Sequence, residues 1–179
     1  MIPEPRRRAI HHAGHAVVQT IVGRGRFAVQ HVALDAGMCG SWRGRPAQGQ
    51  ALLDREAFLG LYEFGLVTLA GIAAEERYLA GTPPDGEPVV ALSDLAAWQE
   101  QAGDVLQSEA RVDLVSRNVM GRLLEWLEDD TIWQVVECLA AALLAEGTVQ
   151  GETLRKILSP LTEGSRGCAE LLIGEEKGQ

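Results

Sequence analysis

Over residues 8–22, small or apolar side chains recur every three or four positions, at Ile10, Gly14, Val17 and Ile21. That spacing follows the turn of an α-helix and gives the segment one buried stripe. Gly23 and Gly25 supply the stop. Beside the stripe sit His11, His12 and His15, three of the four histidines in the chain. His11 and His15 are four apart, so on a helix they stand about 40° apart around the axis, one turn above the other. Two imidazoles so placed can reach one metal ion, which is the geometry of the H-E-x-x-H zinc motif. Histidines at the edge of a helix interface show the same spacing, so the pair alone does not decide.

The remainder of the chain reads mostly as helix. Residues 27–34 alternate as a strand does, Ala36-Gly37 can turn it, and residues 39–43 return as a short second strand. Residues 55–80 form a long helical pattern with Phe58, Leu61, Tyr62, Leu66, Leu69, Ala70 and Ala73 on one face. Gly81 ends it, and the Pro- and Gly-rich stretch 82–86 is a loop. Ser93 is placed to cap the next helix, which Gly103 should weaken or split, and Ser108 to begin another that runs to about residue 127. Thr131 and Gln134 make a capping-box pair for a helix over 132–146, stopped by Gly147. A last helix over 152–158 should stop at Pro160. The fold class is therefore mainly α with a small β-hairpin. One domain covers residues 1–163, and residues 164–179, rich in Gly and charge, form a flexible tail.

Composition narrows the function. The chain has 179 residues, 46% hydrophobic, enough for one real core. A net charge of −9 argues against a nucleic-acid partner. The one basic run, Arg6-Arg7-Arg8, reads as a solvated helix start. No segment has the roughly 18 apolar residues of a membrane span, and Met-Ile-Pro-Glu-Pro lacks the apolar core of a signal peptide. Cys39, Cys138 and Cys168 are odd in number and far apart, which suits buried small hydrophobes in a reducing cytoplasm rather than a disulfide framework. Trp98, Trp126 and Trp133 fall in helical patterns as core residues, and His31 as a structural one.

The surroundings of the histidine motif add a resemblance. Residues 9–18, AIHHAGHAVV, look like the HEAGHAVV segment of FtsH-type zinc metalloproteases. Residues 69–76, LAGIAAEE, are similar to that family's LAGRAAEE segment, and Ser93-Asp94-Leu95 resembles its (S/N)DL segment. Residues 142–152, ALLAEGTVQGE, are similar to its closing ALLE-x-ETL-x-G-E pattern. The four segments come in order and span about residues 8–160, while residues 98–130 match poorly.

The resemblance implies a helical metallopeptidase domain in which His11, His15 and Asp94 are the zinc ligands. It also implies that Gly40, Ser41 and Trp42 lie on an edge strand that receives an extended polypeptide substrate or protein partner. Glu75 and Glu76 either orient a ligand histidine or form a solvated helix end. Two departures matter. The family's general-base glutamate is replaced by His12, whose charged form is disfavoured beside a divalent cation. The chain also has no G-x-x-x-x-G-K-[ST] loop, and its only lysines are Lys156 and Lys177, so no bound nucleotide is expected. Three functions stay open. One is an ATP-independent metallopeptidase with impaired catalysis. Another is a pseudoprotease that binds peptides or partners without cutting them. The third is a different metal-dependent hydrolase that uses His12. In each, His12 is either a substitute base or an extra ligand.

Overall fold

The computed structural model describes residues 4–24, 27–42, 60–80 and 92–163. In chain order the elements are α1 (Glu4–Gly23), β1 (Phe27–Ala33), β2 (Gly37–Trp42), α2 (Leu61–Leu79), α3 (Leu92–Leu106), α4 (Glu109–Glu128), α5 (Asp130–Glu146), β3 (Thr148–Gln150) and α6 (Gly151–Glu163). The fold is mainly helical with one small antiparallel sheet, as the periodicities require.

The central element is α1, which packs against α2, α5, the sheet and α6. Ala9, Ala13, Ala16 and Val17 are fully buried along it, so the helix is covered on more than one stripe. It approaches α2 closely because the residues between them are small. A Cβ added at Gly14 would lie 2.6 Å from the Ala74 Cβ and 2.9 Å from the Ala70 carbonyl oxygen. In the same core, Leu123 and Leu127 of α4 and Val136, Leu139 and Leu143 of α5 are fully buried, each removing apolar surface from water at about 25 cal/mol per Å². Trp98 and Trp126 belong to this core, and the Arg77 guanidinium lies 4.4 Å over the half-buried ring of Trp133.

The expected hairpin is present: β1 and β2 pair antiparallel from Phe27↔Trp42 to Ala33↔Gly37, with a bulge between Val29 and His31. Gly37, at φ 74°, takes the left-handed conformation that opens β2. A third strand, β3, was not anticipated. It pairs with the other edge of β1, giving the order β2-β1-β3. Three residues are too few to show an alternation, and Val149 alone is buried against the core.

Helix ends account for most of the other differences. Residues 55–59, with Phe58, lie outside the described residues, as do the 82–86 loop, Cys168 and the 164–179 tail. α3 starts at Leu92, so Ser93 lies inside it and is not its cap. Gly103 does not split α3, and the break comes at Gln107, whose φ is 50°. Asp129, not the Thr131/Gln134 pair, caps α5, its Oδ1 accepting from the Thr131 and Ile132 amides at 2.9 and 3.0 Å. Pro160 sits within α6 instead of ending it. The Lys156 carbonyl that its missing N–H would have met accepts the Ser159 hydroxyl at 2.9 Å. Cys138 is exposed rather than buried. Among the described residues, no helix is long and apolar enough to cross a membrane.

Candidate metal centre

The helical spacing of His11 and His15 on α1 brings their rings together, with centroids 4.6 Å apart. Asp94, in the first turn of α3, reaches both, and the helix N-terminus there favours its negative charge. Asp94 Oδ2 lies 3.1 Å from His11 Nε2 and 3.0 Å from His15 Nε2, and the two Nε2 atoms are 3.0 Å apart. The three residues thus form a group able to hold a metal ion.

The other ring nitrogens decide what this triangle is for. His15 Nδ1 lies 2.8 Å from the Val67 carbonyl oxygen on α2, which only accepts, so Nδ1 carries the proton. His11 Nδ1 donates in the same way to Glu75 Oε1 at 2.8 Å. In neutral rings both Nε2 atoms are then bare lone pairs, and they converge with a carboxylate oxygen. Three acceptors facing one point need a cation between them, a proton or a metal. Around a tetrahedral ion with bonds of about 2.0–2.1 Å, ligand atoms sit about 3.3 Å apart, only slightly wider than this triangle. The donor set of two imidazoles and a carboxylate fits such an ion, with the outer partners that metal-binding histidines require.

Electrostatics agree. Burial opposes charge on His11, but the hydrogen bonds and charges of Asp94 and Glu75 outweigh it and raise its pKa to about 9. Burial also works against charge on Asp94, yet the two histidines hold its carboxyl far below the usual range. Glu75 is itself buried and pairs through Oε2 with Arg7 Nη2 at 3.0 Å.

His12 lies beside this group, its ring edge-on to that of His11 with centroids 5.5 Å apart. A Cβ added at Gly37 would lie 3.4 Å from its Cε1 and Nδ1, so its ring rests on the start of β2. Burial, then the charges of His11 and His15, lower its pKa to about 4, against a hydrogen bond with the Leu34 backbone. It is not one of the three residues that converge. Gly40, Ser41 and Trp42 lie on β2, at the edge of the sheet among the described strands. Glu76 is exposed and away from the site, so of the two glutamates only Glu75 supports a ligand.

Two contributors were not singled out from the sequence. Gly71 of α2 lies against the ligands: a Cβ there would come 2.5 Å from both His11 Cε1 and His15 Nε2. Arg7, read as part of a solvated start, has a side chain only 12% exposed, in the ion pair with Glu75. Its place four residues before His11 was the available signal, because it puts both side chains on one face.

No family model matches the chain. A protein of Methylobacterium sp. (strain 4-46) described as "Probable inorganic carbon transporter subunit DabA" is 28% identical to it over 159 residues, covering 78% of this chain and 20% of that protein. The chain therefore spans about a fifth of the length of the curated relative it matches. This corrects the expected vocabulary of metalloprotease, peptidase and hydrolase. That curated protein is named as a transporter subunit and not as a protease.

Proposed function

We propose that this chain is a zinc-binding domain that engages an extended segment of a protein partner without hydrolysing it. The observation that carries the reading is the convergence of His11 Nε2, His15 Nε2 and Asp94 Oδ2 at 3.0–3.1 Å, with both Nδ1 atoms already committed as donors. Two imidazoles and one carboxylate suit zinc better than magnesium or calcium, which favour oxygen ligands. Zinc bound by three protein ligands supplies Lewis acidity at a fourth, open position.

The residues around the centre favour binding over turnover. Hydrolysis needs a positioned group to take up and return a proton. Both carboxylates that reach the centre are engaged, Asp94 with the two histidines and Glu75 with His11 and Arg7. His12 occupies the base position of the motif, but its ring lies on Gly37 and its pKa of about 4 makes it a poor proton acceptor at neutral pH. β2, which begins at that contact, is an edge strand among the described strands, and an extended backbone can add to such an edge as a further strand. The negative net charge and the absence of a phosphate-binding loop support a polypeptide rather than a nucleic acid or nucleotide as the partner.

The test is zinc titration of the full chain against a chromophoric chelator, beside His15→Ala and Asp94→Asn, with a mixture of unstructured peptides followed by mass spectrometry. Tight one-to-one zinc binding lost in both variants, with peptides retained but uncut, supports the reading. Equal zinc binding by all three proteins would remove the metal centre. Chelator-sensitive peptide cleavage by the unaltered chain would make the domain an enzyme.

A further inference from the structure

His11 and His15 are held by different means. The partner of His15 Nδ1 is a main-chain carbonyl, Val67, fixed by α2 itself. The partner of His11 Nδ1 is the Glu75 side chain, which has rotamers of its own. Something must hold that carboxylate in place, and among the described residues the guanidinium that pairs with it is that of Arg7. Arg7 Nη2 lies 3.0 Å from Glu75 Oε2, while Oε1 takes the His11 proton at 2.8 Å. The two oxygens thus have separate tasks, and the carboxylate is stretched between α1 side chains one turn apart. Both members of the ion pair are nearly closed to water, with side-chain exposures of 12% and 10%. A contact so buried is screened far less than a surface pair.

We propose that Arg7 is a positioning residue of the metal centre: through Glu75 it orients His11 and raises the affinity of the site for a divalent cation. This rests on the metal-binding reading above. Arg7 touches none of the converging ligand atoms, so its influence passes through Glu75. It also balances the Glu75 charge, which leaves Asp94 as the anion that faces the cation. The fork of a guanidinium suits a carboxylate already committed on its other oxygen, since one N–H can point at Oε2 while the aliphatic stem stays packed.

The experiment is a double-mutant cycle on the full chain with Arg7→Met, Glu75→Gln and both together, and with Arg7→Lys as the conservative variant. The readouts are the zinc dissociation constant and the visible spectrum of the cobalt(II)-loaded protein, which reports ligand geometry. Thermal melting of each metal-free protein checks folding. Arg7→Met should weaken zinc binding by about 10–100-fold and alter the cobalt bands, as loss of an outer partner does. Arg7→Lys should recover most of the affinity and the unaltered bands. In the Glu75→Gln background, Arg7→Met should change little, because the amide needs no cation to hold it. Unchanged zinc affinity and cobalt bands in Arg7→Met overturn the proposal and leave the metal centre standing. An equal loss with and without Glu75 also overturns it, since Arg7 would then act on the fold. If Arg7→Met does not fold, Arg7→Gln takes its place in the cycle, with the same outcomes supporting or overturning the proposal. Failure of the unaltered chain to bind either metal overturns both.

Discussion

On the α2 side of α1, His11 and His15 meet Glu75, Asp94 and the Val67 carbonyl within 2.8–3.1 Å. On the sheet side, one residue along from His11, the ring of His12 meets Gly37 and the Leu34 backbone. The same side chain on the same helix therefore has opposite electrostatic fates. His11 is raised to about 9 by its carboxylates, and His12 is lowered to about 4 by burial and by its charged neighbours. The difference teaches that three neighbouring histidines do not share one role, although the His12 ring stands edge-on to that of His11 at 5.5 Å. Two of the three converge with Asp94 in a group able to hold a metal ion, and the third is held neutral against the start of β2.

The seam between α1 and α2 positions the ligand side, so the glycine that lies against both ligand rings is the place to break the comparison. Gly71 has no room for a Cβ, which would lie 2.5 Å from atoms of both ligand rings. Gly71→Ala should lower zinc affinity by more than about a hundredfold, beyond the range for loss of an outer partner. It should also destabilise the metal-free protein by about 1–3 kcal/mol through overpacking. Zinc titration and denaturant melts measure the two effects. Near-normal zinc binding in Gly71→Ala would mean that the seam does not set the ligand positions.

Acidity should divide the two sides next. Loading a metal on His11 displaces the proton that Asp94 and Glu75 hold there, so affinity rises with pH while the free site is protonated. Below the His11 pKa of about 9, zinc affinity should fall by about tenfold for each pH unit. A flat profile between pH 6 and 8 would show that His11 is neutral in the free protein. Stability of the metal-free chain has the other sign for His11. Its raised pKa contributes stability that is complete below about 6.5 and is lost as pH rises through about 9. Heating curves of the metal-free protein from pH 6 to 10 should show that decline, and it should vanish in His11→Gln.

How much of this the sequence made legible follows from which forces were local. His11 and His15 could be paired from spacing alone, because helix geometry fixes that distance over four residues. Asp94 could be joined to them only through the family resemblance, since nothing local ties position 94 to position 15. Gly71 lay within the segment quoted for the resemblance, but its function depends on a cross-helix approach that no periodicity reports. Arg7 was missed because a basic run usually faces water, and its partner lies 68 residues away. The helix stops show the same division. Gly147 ends α5 by its own left-handed conformation, at φ 72°. Pro160 did not end α6 because Ser159 supplies the hydrogen bond that the proline removes.

The smallest effect belongs to His12, and it sharpens the comparison most directly. Its ring rests on Gly37 and stands edge-on to the His11 ring, with centroids 5.5 Å apart, but it is not among the three residues whose ligand atoms converge. His12→Gln should therefore alter zinc affinity by less than the roughly tenfold minimum typical of a lost outer partner. A larger loss would mean that the ring swings across to close the open position, making the centre structural. The same variant should leave a trace in acid. The lowered pKa of His12 means that the unfolded chain takes up a proton below about 6.5 while the folded one resists until about 4. Stability contributed by the neutral ring is thus lost as pH falls through that window. His12→Gln should flatten the pH dependence of melting between 6.5 and 4 without touching the alkaline decline assigned to His11. If both limbs change together, the two sides of α1 are coupled, and the division drawn from their geometry fails.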